Sequence, residues 1–133
     1  MNLSSGIAPV RRFLDKGVKV GLGSDVPGGC HPSIFRAMSD AVQASTLRWR
    51  HVSQNDKPLS VAEVFYLGTL GGGEFFGRVG SFDDGYEFDA LVIDDGDLLP
   101  PYSLDIPDRL ARVIYLSDDR HIAEKYVRGT QIQ

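Results

Sequence analysis

Asp25 is the residue from which chemistry is most readily drawn. It closes the run Val18-Lys19-Val20-Gly21-Leu22-Gly23-Ser24-Asp25 and is followed by Val26-Pro27-Gly28-Gly29. A carboxylate accepts a proton or holds a hard cation. One placed just past a strand end, on a Pro-Gly-Gly loop, sits where α/β folds keep their active groups. The competing reading is a turn-forming Asp whose side chain bonds backbone N–H groups two residues on. Ser24 puts a hydroxyl beside the carboxylate, and Cys30 and His31 follow five and six residues after Asp25. An Asp-x₄-Cys-His set could share a metal, although loop His and Cys are more often unliganded. Cys30 as a nucleophile lacks a base at a recognisable spacing.

Several elements must hold these residues in place. Val18, Val20 and Leu22 alternate with Lys19, Gly21 and Gly23, which predicts a strand over 18–23, its glycines allowing another backbone close by. Ile7, Val10, Phe13 and Leu14 fall at helical spacing, with Pro9 in the first turn and Gly17 as the stop. Ser33 as N-cap and Ile34, Ala37, Met38, Ala41, Val42 and Ser45 as one stripe predict a helix to about Arg50. Ser60-Val61-Ala62-Glu63 reads as a capping box, with Leu59 and Val64 placed for a hydrophobic staple. That helix is expected to stop at Gly71-Gly72-Gly73, too flexible a run to continue it.

Beyond Arg78, Asp83-Asp84-Gly85 and Asp94-Asp95-Gly96 bracket a strand at Phe88 to Ile93. Neither acidic cluster matches a calcium-loop pattern, and Asp-Gly pairs are ordinary turns. Residues 108–116 read either as a helix passing into a strand or as a strand over 111–116. The tail 124–133 reads as a hairpin turning at Arg128-Gly129.

Composition narrows the function classes. At 133 residues, 42% hydrophobic and 24% charged, the chain has the make-up of one globular domain. A net charge of −4 and the lack of a basic cluster argue against nucleic acid or an anionic membrane as a partner. One cysteine, no apolar run of membrane-spanning length and no leader pattern suggest a soluble cytoplasmic protein. The opening Met1-Asn2-Leu3-Ser4-Ser5-Gly6 has no periodicity and reads more like the middle of a protein than a start.

These stretches together carry a resemblance. Asn2-Leu3-Ser4-Ser5-Gly6, a helix, and then Val20-Gly21-Leu22-Gly23-Ser24-Asp25-Val26-Pro27-Gly28-Gly29 resemble the eighth barrel strand of the amidohydrolase superfamily. Val26 and Gly28-Gly29 resemble the guanine deaminases within it. Ser60 to Gly72 is similar to the post-barrel helix, Gly85 to Ile93 to the return strand, and Tyr115 to Gly129 to the C-terminal end. Ser24 stands where the family usually has Thr, which keeps the hydroxyl, and Gly73 adds a third glycine.

The resemblance implies an α/β fold: the C-terminal part of a (β/α)8 barrel at residues 1–77, with the last barrel strand and following helices, and strands of a small composite β-sandwich domain at 78–133. It implies the C-terminal segment of a zinc-dependent guanine deaminase, hydrolysing guanine to xanthine and ammonia. Alternatives are an aminohydrolase acting on another purine or a pterin-like ring, and a truncated, inactive fragment or interaction module. Asp25 would be both metal ligand and proton acceptor, with Ser24 a supporting hydroxyl. In the family, an H-x-H pair and two further histidines complete the zinc site. His31, His51 and His121 match none of these positions, so the isolated chain is expected to be inactive. The intact enzyme is expected to be a homo-oligomer. The fragment, with a lone barrel strand open at both edges, is expected to self-associate or to rearrange residues 1–30.

Overall fold

The computed structural model describes residues 5–132. Met1 to Ser4, which include the start of the motif quoted above, and Gln133 lie outside the described residues. The elements in chain order are α1 (Val10–Asp15), α2 (Ile34–His51), α3 (Val61–Gly68), α4 (Leu70–Gly73), β1 (Ala90–Ile93), α5 (Ile106–Leu116), β2 (Ile122–Val127) and β3 (Thr130–Gln131). Short 3₁₀ turns occupy Gly96–Leu98 and Asp119–His121.

The helix termini follow local signals. Gly17, at φ +70°, lets α1 end in a Schellman motif: Val18 N–H bonds the Phe13 carbonyl and Gly17 N–H that of Leu14, each at 2.9 Å. Ser33 caps α2 by accepting from Arg36 N–H. Ser60 and Glu63 form the expected capping box, and the staple residues Leu59 and Val64 are both buried. Asp105 caps α5, accepting from Asp108 N–H at 2.9 Å, with Pro107 in the first turn where no N–H is needed. Residues 111–116 are therefore helical, and the strand reading of that stretch is corrected.

The core lies among the helices. Met38 from α2, Leu59, Val64 and Leu67 around α3, and Ile114 from α5 form one buried cluster, with Val10, Leu14, Val20 and Leu22 packed against its edge. Beneath it Asp56, 2% exposed, binds Arg12 Nε at 2.5 Å and Arg48 Nε at 2.8 Å. Those guanidiniums, Arg12 foremost, hold its carboxyl below the usual range against the opposing effect of burial.

The sheet is small and antiparallel, in the order β1-β2-β3. Ala90 faces Tyr126, Leu91 faces Lys125 and Val92 faces Glu124; a bulge then brings Ile93 opposite Ile122. The expected hairpin turns at Arg128 (φ +49°) and Gly129 (φ +76°), the two left-handed residues of a type I′ turn. Arg128 N–H bonds Asp89 Oδ1 and Gly129 N–H bonds the Phe88 carbonyl, so the turn is tied to the residues leading into β1.

The stretch 18–25 departs from expectation. It is extended but belongs to no sheet among the described residues. A strand is defined by its partner's ladder, and here only Val20 and Leu22 lean on the helical core, while residues 18, 19, 21, 23 and 25 stay exposed.

Candidate active site around Asp25

The extended arm reaches Asp25 along the junction of α3 and α4. Leu22 N–H bonds the Leu67 carbonyl at 2.9 Å, while the side chains of Val20 and Leu22 pack against the core. Lys19 Nζ lies 2.8 Å from Glu74 Oε2, and Tyr66 OH donates to Glu74 Oε1 at 3.2 Å. The ammonium lowers the Glu74 carboxyl, and Glu74 in turn raises both Lys19 and the Tyr66 phenol.

The chain turns sharply after the arm. Asp25 adopts φ +51°, a left-handed conformation that Asp tolerates better than most residues. Gly29 N–H bonds the Asp25 carbonyl, closing a five-residue turn that contains a cis Val26–Pro27 peptide. The turn is so tight that a Cβ on Gly29 would lie 1.8 Å from the Ser24 carbonyl oxygen, so only glycine fits there.

The Asp25 side chain is exposed and, among the described residues, makes no hydrogen bond or ion pair. This separates it from the chain's turn-forming acids. Asp94 Oδ1 accepts from Gly96 N–H at 3.0 Å, Asp105 Oδ1 caps α5, and Asp118 Oδ1 accepts from Arg120 N–H at 3.0 Å. The Asx-turn reading of Asp25 therefore has no bond to rest on. Its carboxylate is presented at the end of the arm with all its acceptor capacity available.

The other candidates are placed differently. Ser24 is half-buried immediately before the turn. Cys30 is a free, exposed thiol, while His31 uses Nδ1 to accept from Ser33 N–H at 3.1 Å, ordering the entry to α2. Among the described residues no three His, Cys, Asp or Glu side chains are grouped to hold a metal ion. Asp25 suits a metal as one carboxylate ligand, but these residues do not make a complete site. His121 lies between two acids, with Asp118 Oδ1 3.2 Å from Nδ1 and Asp97 Oδ1 3.2 Å from Nε2, beside the sheet. The arm's glycines read as allowing another backbone close by, and Gly21 does meet Gly71-Gly72; the sequence does not say which backbone it is, because the run at 71–73 reads as a helix stop.

An extended arm ends in a free carboxylate, and a glycine-closed turn and a long helix follow it, an order in which α/β folds can present a reactive group at a loop. The amidohydrolase family model matches residues 1–132, and the chain belongs to the amidohydrolase family. It is similar to guanine deaminases. One from Dictyostelium discoideum is 37% identical over 138 residues, covering 98% of this chain and 30% of the relative. One from Mus musculus is 39% identical over 143 residues, covering 99% and 31%. The crystal structure of a guanine deaminase from C. acetobutylicum with guanine bound in its active site superimposes with a TM-score of 0.92 at 47% identity, over 98% of this chain and 31% of that one. The chain thus spans a little under a third of these relatives' length. No helix among the described residues is long and apolar enough to cross a membrane.

Proposed function

We propose that this chain is the C-terminal portion of a zinc-dependent guanine deaminase and that Asp25 carries its proton chemistry. Residues 1–77 would end a (β/α)8 barrel and 78–133 would complete a small β-domain. The observation that carries the reading is the superposition at a TM-score of 0.92 and 47% identity on a guanine deaminase holding guanine, over nearly the whole chain. The unpaired extended arm supports it, since a neighbouring barrel strand would supply the ladder that 18–25 lacks.

Asp25 would serve as one ligand of the metal, the remaining ligands coming from outside the described residues. A zinc ion held there supplies the acid strength that lets a water lose its proton near neutral pH. Asp25 accepts that proton at a carboxylate oxygen, a task its exposed, unbonded oxygens suit. Water adds at the amine-bearing carbon of guanine, the Asp25 carboxyl gives its proton to the departing amine, and ammonia leaves to give xanthine. The Ser24 hydroxyl sits beside this carboxylate as a supporting group, and Gly29 keeps the turn closed so that the carboxylate stays at the arm's tip.

The test is guanine-to-xanthine turnover by the complete enzyme, with and without Asp25→Asn. Asn keeps the shape and cannot accept the proton, so turnover should fall by about 10²-fold or more while thermal unfolding is unchanged. Near-normal turnover in the Asn variant would remove Asp25 from the mechanism. The 133-residue chain alone is expected to show no turnover.

A further inference from the structure

Beyond the carboxylate itself, the structure points to two residues that set its position. We propose that Gly21 and Gly71 are positioning residues for Asp25, acting through direct backbone contact between the arm and the α3–α4 junction. The inference rests on the reading of Asp25 as the functional carboxylate.

The contact has no room for a side chain from either direction. A Cβ on Gly21 would lie 2.7 Å from Gly72 Cα and 3.3 Å from Gly72 N. A Cβ on Gly71 would lie 2.8 Å from the Val20 carbonyl oxygen, 3.2 Å from that of Tyr66 and 3.1 Å from Tyr66 Cε1. The nearest atom in each case is backbone, so no rotamer change relieves the clash. Neither glycine has a positive φ. Their requirement is therefore close approach rather than conformational freedom.

The junction owes its shape to Thr69, whose φ of −123° and ψ of −97° break the helix between Gly68 and Leu70. Just before the break the Leu67 carbonyl accepts from Leu22 N–H, and just after it Gly71 faces Val20. Glu74 then holds Lys19. Three successive points of the arm, at residues 19, 20–21 and 22, are thus registered against residues 67–74, and Asp25 follows three residues later.

Gly72 supplies an internal control. A Cβ there would meet the Leu67 carbonyl at 3.5 Å and Gly21 Cα at 4.0 Å, both ordinary contacts. Adjacent glycines of one helical turn should therefore respond in opposite ways. Relieving the clash at position 71 means parting the arm from the junction by roughly 0.6 Å, and misplacement on the order of an ångström costs catalysis about 10²-fold.

The experiment compares Gly21→Ala, Gly71→Ala, Gly72→Ala and Asp25→Asn in the complete enzyme, reading kcat and KM for guanine separately. It also measures amide exchange at Leu22 in the complete enzyme. Gly21→Ala and Gly71→Ala should lower kcat by about 10- to 10²-fold with KM within about twofold, whereas Gly72→Ala keeps the parent kcat. Gly71→Ala should also strip protection from the Leu22 amide while the amides of α2 keep theirs. If α2 loses protection too, Gly21→Ala, which puts the methyl group on the arm instead, decides the question. Equal kcat for the variants at 71 and 72, or an unchanged Leu22 amide in a folded Gly71→Ala enzyme, would overturn the inference. An active Asp25→Asn enzyme would instead overturn the reading beneath it.

Discussion

Glu63 ties the start of α3 to α1, and the pH dependence of that tie can be worked out from the geometry. Arg11 Nη1 donates to Oε1 at 2.7 Å and Nη2 to Oε2 at 2.8 Å, while Ser60 N–H and Oγ donate to Oε2 at 2.8 and 3.0 Å. The Arg11 bonds foremost, with Ser60 adding and burial opposing, bring the carboxyl from 4.5 down to about 2. The unfolded chain binds this proton first on acidification. The stabilisation is therefore fully present above pH 4.5 and is lost as pH falls through about 2. At about 1.4 kcal/mol per pKa unit the whole interval is worth ~3 kcal/mol. The Glu63 side chain is 34% exposed, and solvent screening reduces the figure to about 1–2 kcal/mol. The assay is urea unfolding of the parent chain and Glu63→Gln between about pH 7 and about pH 2. Gln can still accept from Ser60 N–H but neither titrates nor attracts Arg11. The parent should be more stable by about 1–2 kcal/mol above about pH 5, and the gap should close on the way to about pH 2. A gap that stays constant, or widens with acid, would refute the reasoning.

Two further expectations concern the core and the hairpin. Leu67 is fully buried in the helical cluster, so Leu67→Ala should cost about 3 kcal/mol, read as a lower urea midpoint at unchanged slope; a loss below about 1 kcal/mol would mean that the core closes over the cavity. Arg128 holds φ +49° in a type I′ turn, and its 3.9 Å approach to Glu87 is exposed. Arg128→Asn should therefore raise stability by about 0.5 kcal/mol, seen as a higher Tm, and a lower Tm would show that the Arg side chain matters more than its backbone.

What the sequence disclosed depended on how local the signal was. The Ser60–Glu63 box, the Ser33 cap and the Arg128-Gly129 turn are each written within four residues, and each forms as read. The end of α5 was ambiguous because Val113 and Ile114 are β-branched, while the Asp105 cap that settles it lies eight residues upstream of Val113. Alternation over 18–23 disclosed an extended backbone correctly but not its neighbour, because pairing is a tertiary property. The glycines at 71–73 were read as flexible, yet they are helical. A Cβ on Gly71 would strike Val20 and one on Gly73 would lie 2.1 Å from the Val79 carbonyl oxygen. Asp25 stood out through its place after the arm and before Val26-Pro27-Gly28-Gly29, whereas the freedom of its carboxylate depends on which groups the fold brings near it.

The adjacent arginines of α1 have a consequence for the order of events in time. Six residues are too few to sustain a helix in water, so α1 exists only once Arg11 and Arg12 have found Glu63 and Asp56, 52 and 44 positions further along. Closing loops of that span comes late, after α2 and α3 have met over a much shorter connection. Residues 5–25 are thus made before their partners and must wait for them. The segment that ends in Asp25 takes its place only after the helices that hold Glu63 and Asp56 have taken theirs.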